Sequence, residues 1–155
     1  MSRIEYYHGH LPHFHHIGHT FFVTSILNDA IPKALFDQLL FERESKLAQL
    51  QIDAPPNQKQ LKLELHNQYE AAFERLLHRD TQQEHLFRNT IAAQIVVDRI
   101  LEYQGLYYDC FAYTIMSNHI HLLLDFSIQL PKGYNATKVL DNYVNLDKVM
   151  QLIKG

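Results

Sequence analysis

Two histidines one residue apart, His119 and His121, are the residues of this sequence whose type and spacing best suit chemistry. They lie in the stretch NHIHLLL, where the residues between and after them are apolar. Side chains alternate between the two faces of a β-strand, so both imidazoles would point to one side and the apolar residues to the other. Two imidazoles on one face can bind one divalent metal ion together. Asn118, immediately before them, could orient a ring or a bound phosphate.

The spacing of the pair carries little weight by itself. The chain has 11 histidines in 155 residues, and chance alone gives roughly 0.8 His-x-His pairs in such a sequence. Two more pairs are present, His8/His10 and His13/His15. The apolar strand context and the preceding asparagine are what favour the third pair. The residues alone leave two interpretations open: a metal or catalytic role, or two strand histidines that face solvent or a helix.

The elements around this pair predict an α+β fold. Apolar periodicity and turn residues predict a strand over residues 19–27 and helices over 32–50 and 58–78. A third helix is predicted to end near 103 and to begin either at a capping box over 81–84 or at Asn89. Strands over 106–115 and 119–126 and a last amphipathic segment over 139–153 follow, and Asn145 could cap a distinct last helix over 146–154.

This order predicts most of a ferredoxin-like sandwich, which lacks only its closing strand. We expect an antiparallel sheet with helices on one face and a helical insertion, residues 40–85, between the first and second strands. Residues 1–18 show no clear period and are predicted to form an irregular arm.

Composition narrows the class of protein. A chain of 155 residues with 46% hydrophobic content suits a single domain with a real core. The one cysteine, Cys110, excludes an internal disulfide and fits a reducing compartment. No secretory signal and no 18-residue apolar run is visible, so we expect a soluble cytoplasmic protein without a membrane partner. The net charge of −3 implies that any nucleic-acid surface is local.

Three segments resemble one protein family. The pattern Tyr-x-x-Met-x-Asn-His-Ile-His-Leu-Leu-Leu, over residues 113–124, is similar to the signature of the single-tyrosine HUH (Y1) transposases, with Ser117 where proline is usual. The opening HLPHFHHIGHTFFVTSIL resembles that of the REP-associated tyrosine transposase branch, and the closing LDKVMQLIKG resembles a helix of the same branch. The three segments occur in the family's order and span the first two-thirds of its typical domain.

The resemblance implies a site and a reaction. His119 and His121 would be the catalytic metal ligands, holding Mg²⁺ or Mn²⁺ with Asn118 in support. The metal polarises the scissile phosphate of single-stranded DNA. A tyrosine attacks that phosphate and forms a 5′-phosphotyrosine intermediate, which allows DNA cleavage and strand transfer. In the family the tyrosine follows the L-K-G segment, so we expect the nucleophile after Gly155.

Tyr134 and Tyr143 are weak candidates within the sequence for the same role. The resemblance also implies single-stranded or hairpin DNA as the partner and a homodimer as the assembly. Whether the chain is an enzyme stays open, because a non-catalytic relic that only binds DNA hairpins would keep the same fold. A His-triad nucleotide hydrolase is disfavoured, since Leu123 stands where a third alternating histidine is needed.

Six histidines lie near the amino terminus: His8, His10, His13, His15, His16 and His19. No helical or zinc-finger spacing fits all six, although a second metal site is conceivable on residue types alone. We interpret the segment as a polar arm.

Overall fold

A computed structural model describes residues 4–8, 12–27, 30–79, 85–135 and 140–155, and within 4–8 and 12–15 it describes the backbone alone. Its strands are β1 (Ile4–His8), β2 (Pro12–His16), β3 (Thr20–Ile26), β4 (Asp109–Ile115) and β5 (His119–Asp125). Its helices are α1 (Lys33–Asp53), α2 (Gln58–Leu77), α3 (Thr90–Glu102) and α4 (Leu146–Lys154). The predicted α+β class is therefore confirmed.

The chain divides into two compact units. The first unit comprises Met1–Ser25 and Leu86–Gly155, and the second comprises Ile26–His85. The second unit interrupts the first between β3 and β4, where the sequence predicts a helical insertion. Its bounds are wider than the predicted residues 40–85, because α1 begins directly after Pro32 and belongs with α2.

The first unit is built on a three-stranded antiparallel sheet in the order β3-β5-β4. Strands β4 and β5 form a hairpin in which Thr114 pairs with His121 and Ile115 with Ile120, and the register shifts between Cys110 and Ala112. The strand that carries the histidine pair is thus the central one. A central strand is held by ladders on both sides, which makes it the most rigid position in a small sheet.

The core of the first unit lies on one face of this sheet. Ile120, Leu122 and Leu124 of β5 are all buried in it. They pack with Ile100 of α3 and with α4, including Val149. The predicted alternation of β5 is confirmed, since its apolar residues fill the core while His121 lies between them in sequence and is only partly buried.

Asparagine side chains begin the two helices that cover this core. The Asn89 side chain accepts a hydrogen bond from the backbone N–H of Ile91 at 2.9 Å. The Asn145 side chain accepts one from Lys148 at 2.9 Å. Both bonds satisfy helix N–H groups that lack intrahelical partners. They confirm Asn145 as a cap and the later of the two predicted starts for α3; the alternative capping box, residues 81–84, lies outside the described residues.

The amino-terminal segment differs from the irregular arm predicted over residues 1–18. The backbones of β1 and β2 pair antiparallel, with Ile4 opposite His16 and His8 opposite Pro12. The prediction failed because Gly, Pro and His hide the strand preference of the aromatic residue types in IEYYH and PHFHH, which favour extended backbone. Gly18, with φ +72°, follows β2 and leads into β3.

The second unit consists mainly of the two helices α1 and α2, which contact each other and are separated in sequence by four residues. The break predicted between the helices over 32–50 and 58–78 is confirmed, since α1 ends at Asp53 and Ala54 adopts the left-handed conformation with φ 42°. Arg43 of α1 lies over the ring of Tyr69 of α2, 5.0 Å from its centroid. In the described part of the chain, no helix has both the length and the apolar character required to cross a membrane.

Candidate functional site

The two imidazoles of β5 meet edge to edge at their Nε2 atoms. His119 Nε2 and His121 Nε2 are 3.2 Å apart, and the ring planes cross at 78°. His119 is 1% exposed, whereas His121 is partly exposed. The pair therefore joins a buried ring to a ring that is partly exposed, a difference that strand alternation alone does not predict.

The inner ring is held by the residue that precedes it. Asn118 Oδ1 lies 2.7 Å from His119 Nδ1. An amide oxygen can only accept, so His119 Nδ1 carries the hydrogen, and in the neutral ring the Nε2 atom carries the lone pair. Asn118 and His119 are the buried polar side chains of the described residues, and burial of such groups requires hydrogen-bond partners. The prediction that Asn118 orients a ring agrees with this contact.

The outer ring is held by two side chains of the neighbouring strand β3. Thr24 Oγ1 lies 3.0 Å from His121 Nδ1. The ring of Phe22 stacks on the His121 ring, with centroids 5.3 Å apart and an interplanar angle of 20°. A threonine hydroxyl both donates and accepts, so it can serve either tautomer of His121. Each imidazole thus has its Nδ1 atom within hydrogen-bond distance of a neighbouring side chain, and its Nε2 atom lies 3.2 Å from that of the other ring.

This arrangement fits two ligands of one metal ion. Ligand atoms about 2.1 Å from an ion are about 3.0 Å apart at an octahedral right angle and about 3.4 Å apart in a tetrahedron. The observed 3.2 Å between the Nε2 atoms lies between these values. Hydrogen bonds to the second nitrogen of each ring are the usual support of metal-ligating histidines. The two imidazoles could therefore hold one metal ion, and their role as metal ligands stays a prediction.

The two candidate tyrosines, Tyr143 and Tyr134, make contacts with other residues of the first unit. The hydroxyl of Tyr143 accepts a hydrogen bond from the Gly18 backbone N–H at 3.1 Å, and its ring lies 6.4 Å from that of Phe126 at the edge of the core. These contacts give Tyr143 a structural role. Tyr134 is partly buried, and its backbone N–H donates to the Pro131 carbonyl.

The amino-terminal histidines do not form a described cluster of six. The rings of His16 and His19 stack 4.9 Å apart, and His10 lies outside the described residues. The side chains of the remaining three are likewise outside the description. The interpretation as a polar arm stays a prediction.

Sequence reasoning missed four residues of interest. Thr24 and Phe22 lie in the segment TFFVTS, and only the pairing of β3 with β5 brings them to the histidines. Glu74 and His78 of the second unit also carry side chains of types that can bind a metal ion. Glu74 and His78 are one turn apart on α2, with Oε2 and Nε2 separated by 3.7 Å, and their i, i+4 spacing was the available signal.

No protein-family model, curated protein or solved structure matches the chain. The function of the chain is therefore inferred from the residues of the site and their geometry.

Proposed function

We propose that the chain carries the metal centre of a single-tyrosine HUH-type transposase. In this proposal it supports metal-dependent cleavage and strand transfer of single-stranded DNA through a 5′-phosphotyrosine intermediate. The observation that carries the proposal is the convergence of the two Nε2 atoms of His119 and His121, with each Nδ1 atom held by its own partner. Two strand histidines that merely faced solvent would not need both supports.

The topology of the first unit supports the same family of folds. Its sheet order, β3-β5-β4, is the order of the first, third and second strands of a ferredoxin-like sandwich. Helix α3 precedes the hairpin and α4 follows it, as in the β-α-β-β-α part of that fold. We assign the first unit to a ferredoxin-like sandwich on these grounds, with the second unit as an insertion after its first strand.

The residues of the centre divide the work as follows. A bound divalent ion supplies Lewis-acid polarisation of the scissile phosphate. His119 and His121 hold that ion, while Asn118 and Thr24 fix the direction of the two rings. Imidazole suits Mn²⁺ better than Mg²⁺, which prefers oxygen ligands. Of the two ions that the family resemblance implies, Mg²⁺ and Mn²⁺, we therefore propose Mn²⁺ as the better cofactor.

The covalent step is a transesterification. The oxygen of a tyrosine gives up its proton and bonds to the phosphorus of an internal phosphodiester, the bond from that phosphorus to the 3′ oxygen breaks, and the 3′ oxygen takes one proton and leaves as a 3′-hydroxyl, so the phosphate stays on the 5′ side of the downstream fragment. No net hydrolysis occurs, so the reverse attack can rejoin strands. Tyr143 is disfavoured as the nucleophile because its hydroxyl already bonds to Gly18. Tyr134 is the weaker candidate that remains within the described residues.

The charge distribution is compatible with a nucleic-acid partner. The first unit contains seven lysine and arginine residues and seven aspartate and glutamate residues, so its formal charge is zero. The whole excess of −3 therefore belongs to the second unit. A phosphate that approaches the histidine pair meets no net negative charge on the unit that bears it.

The first test is metal binding. Titration calorimetry with Mn²⁺ is expected to show one site that is lost in the double variant His119→Ala/His121→Ala. The double variant His66→Ala/His85→Ala is the matched control, because it removes two histidines of the second unit. Equal Mn²⁺ affinity in wild type and the His119/His121 variant would refute the site.

The second test separates the enzyme from a non-catalytic DNA-hairpin binder. A single strand labelled at its 3′ end, which the 5′-phosphotyrosine adduct would retain, is incubated with the protein and Mn²⁺ and then denatured in SDS. A covalent adduct that requires His119 and His121 supports strand transfer, and its loss in Tyr134→Phe would identify the nucleophile. Binding of the strand without an adduct supports the relic instead.

A further inference from the structure

We propose that Phe22 is a stacking platform for an unpaired nucleobase, next to the phosphate that the histidine pair receives. This inference rests on the proposed function, because it names the part of the single strand that the same site would recognise. Phe22 lies on β3, and its ring stacks on the ring of His121. One face of the phenyl ring is thus fixed against a candidate metal ligand.

The other face of the ring is open. Phe22 is 68% exposed, although its neighbour Phe21 is partly buried against the core. A single exposed aromatic residue needs no explanation by itself. The position of this one is informative, because the ring beneath it is the ring that binds the metal in the proposed function. A flat apolar face therefore borders the place where a phosphate would bind.

A nucleobase is the ligand that matches both features. Within a nucleotide, one sugar separates the base from its phosphate, so a phosphate at the Nε2 atoms leaves a base close to the Phe22 ring. Stacking of bases on aromatic side chains is tolerant of sequence and requires unpaired bases. The site would therefore favour single strands over duplexes through the Phe22 ring, on a unit whose formal charge is zero.

The test compares two single strands with identical phosphates. One is an oligothymidine, and the other carries abasic sugars at its central positions. Anisotropy titrations in Mn²⁺ give the ratio of their affinities for each protein. Because any change in metal binding alters both affinities alike, the ratio isolates the contribution of the bases.

In the wild type we expect the intact strand to bind about tenfold more tightly than the abasic strand, as one stacked base would give. In Phe22→Ala we expect the ratio to fall close to one. The matched control is Phe111→Ala, which removes an exposed phenylalanine of β4 that is 62% exposed. The control should keep the ratio of the wild type.

A second variant provides a direct optical readout. The chain contains no tryptophan, so Phe22→Trp places the only tryptophan of the protein at the proposed platform. We expect the intact strand to quench its emission, the abasic strand to leave the emission unchanged, and the tighter binding of the intact strand to be retained. This variant also tests the proposal if Phe22→Ala fails to fold.

The outcomes separate this inference from the proposed function. Equal affinity ratios in wild type, Phe22→Ala and Phe111→Ala would overturn the platform while leaving the metal centre intact. Two results together would overturn the proposed function and the platform with it: a wild type that binds neither strand, and an Mn²⁺ affinity that is unchanged in His119→Ala/His121→Ala. If Phe22→Ala changes only the molecular mass in solution, the ring contacts another protein chain and the platform is refuted.

Discussion

At the scale of single residues, the centre depends on how few orientations its two rings can adopt. Asn118 dictates the tautomer of His119, because its amide oxygen only accepts. Thr24 does not dictate the tautomer of His121, since a hydroxyl can donate to Nδ1 or accept from it. The Thr24 contact is therefore compatible with two states of the pair. In one state a hydrogen bond joins the two Nε2 atoms, and in the other both Nε2 atoms bind one cation. In the proposed metal centre, Thr24 would be a positioning residue for the ring of His121.

Replacement of Thr24 by valine should weaken Mn²⁺ binding while preserving the shape of the side chain. Loss of a hydrogen bond to a ligating histidine typically costs about 10- to 100-fold in metal affinity. Thr24→Ser should retain the affinity of the wild type within about threefold, because it keeps the hydroxyl. Calorimetric titration measures both constants, and thermal unfolding without metal checks that each variant is folded.

Thr20→Val is the control for this prediction. Thr20 lies on the same strand, and its hydroxyl donates to Asp125 at 2.8 Å rather than to a histidine. We expect its Mn²⁺ affinity to equal that of the wild type. If Thr24→Val and Thr20→Val bind Mn²⁺ equally well, Thr24 has no positioning role.

At the scale of elements, the strands and helices of the first unit were largely predictable, and the contacts between strands were not. Alternation located β5, and the asparagine caps located α3 and α4, because these signals are local in sequence. The approach of Thr24 and Phe22 to His121 depends on pairing between strands that are separated by the whole second unit. No local pattern encodes such a pairing, so the supports of the outer ring could not be predicted.

Tyr108 shows how α3 is joined to the sheet. The side chain is fully buried, and its hydroxyl donates to the Ile100 carbonyl of α3 at 2.6 Å. Burial is the main reason why the pKa of Tyr108 lies well above its ordinary value, with smaller contributions from Cys110 and Tyr103. The folded protein therefore keeps this hydroxyl neutral at pH values where an unfolded chain ionises it.

This difference predicts alkaline destabilisation with a definite sign. The contribution of Tyr108 to the free energy of unfolding is complete below about pH 10, the unfolded pKa, and declines as the pH rises above it. Tyr108→Phe should cost about 1–2 kcal/mol at pH 7, because the Ile100 carbonyl loses its partner. The difference in free energy of unfolding between wild type and Tyr108→Phe should become smaller between about pH 10 and 11, because the wild type loses stability as Tyr108 ionises in the unfolded chain and phenylalanine cannot ionise.

Urea unfolding at several pH values measures this gap. The control is Tyr103→Phe, which removes the hydroxyl of a neighbouring tyrosine that lies at the carboxyl end of α3. A stability difference between wild type and Tyr108→Phe that stays constant from pH 7 to 11 would contradict the burial argument.

At the scale of the whole molecule, the two units divide the chemistry and the charge unevenly. The first unit contains the histidine pair, eight of the eleven histidines and no net formal charge, whereas the second is helical and acidic. Composition totals over the whole chain conceal this division. The net charge of −3 therefore describes the first unit poorly, because it sums the charges of that unit and of the second unit, which lies where the sequence predicts a helical insertion over residues 40–85.

Metal binding by the histidine pair should raise the stability of the first unit. An ion that binds only the folded state stabilises it by about 2.7 kcal/mol at 100 times its dissociation constant. For a unit of this size that corresponds to a rise in Tm of roughly 10 °C or more. Eight of the nine tyrosines lie in the first unit, so near-ultraviolet circular dichroism follows its unfolding.

The identity of the ion makes this measurement diagnostic of imidazole ligands. Nitrogen ligands bind Ni²⁺ more tightly than Mn²⁺ and are poor partners for Ca²⁺, which prefers oxygen. At equal concentrations the rise in Tm should therefore be largest with Ni²⁺, smaller with Mn²⁺ and negligible with Ca²⁺, and EDTA should reverse it. In His119→Ala/His121→Ala the three ions should leave Tm within about 2 °C of the metal-free value. A rise with Ca²⁺ as large as that with Mn²⁺ would instead assign the effect to carboxylates, and the histidine pair would lose its role as the metal centre.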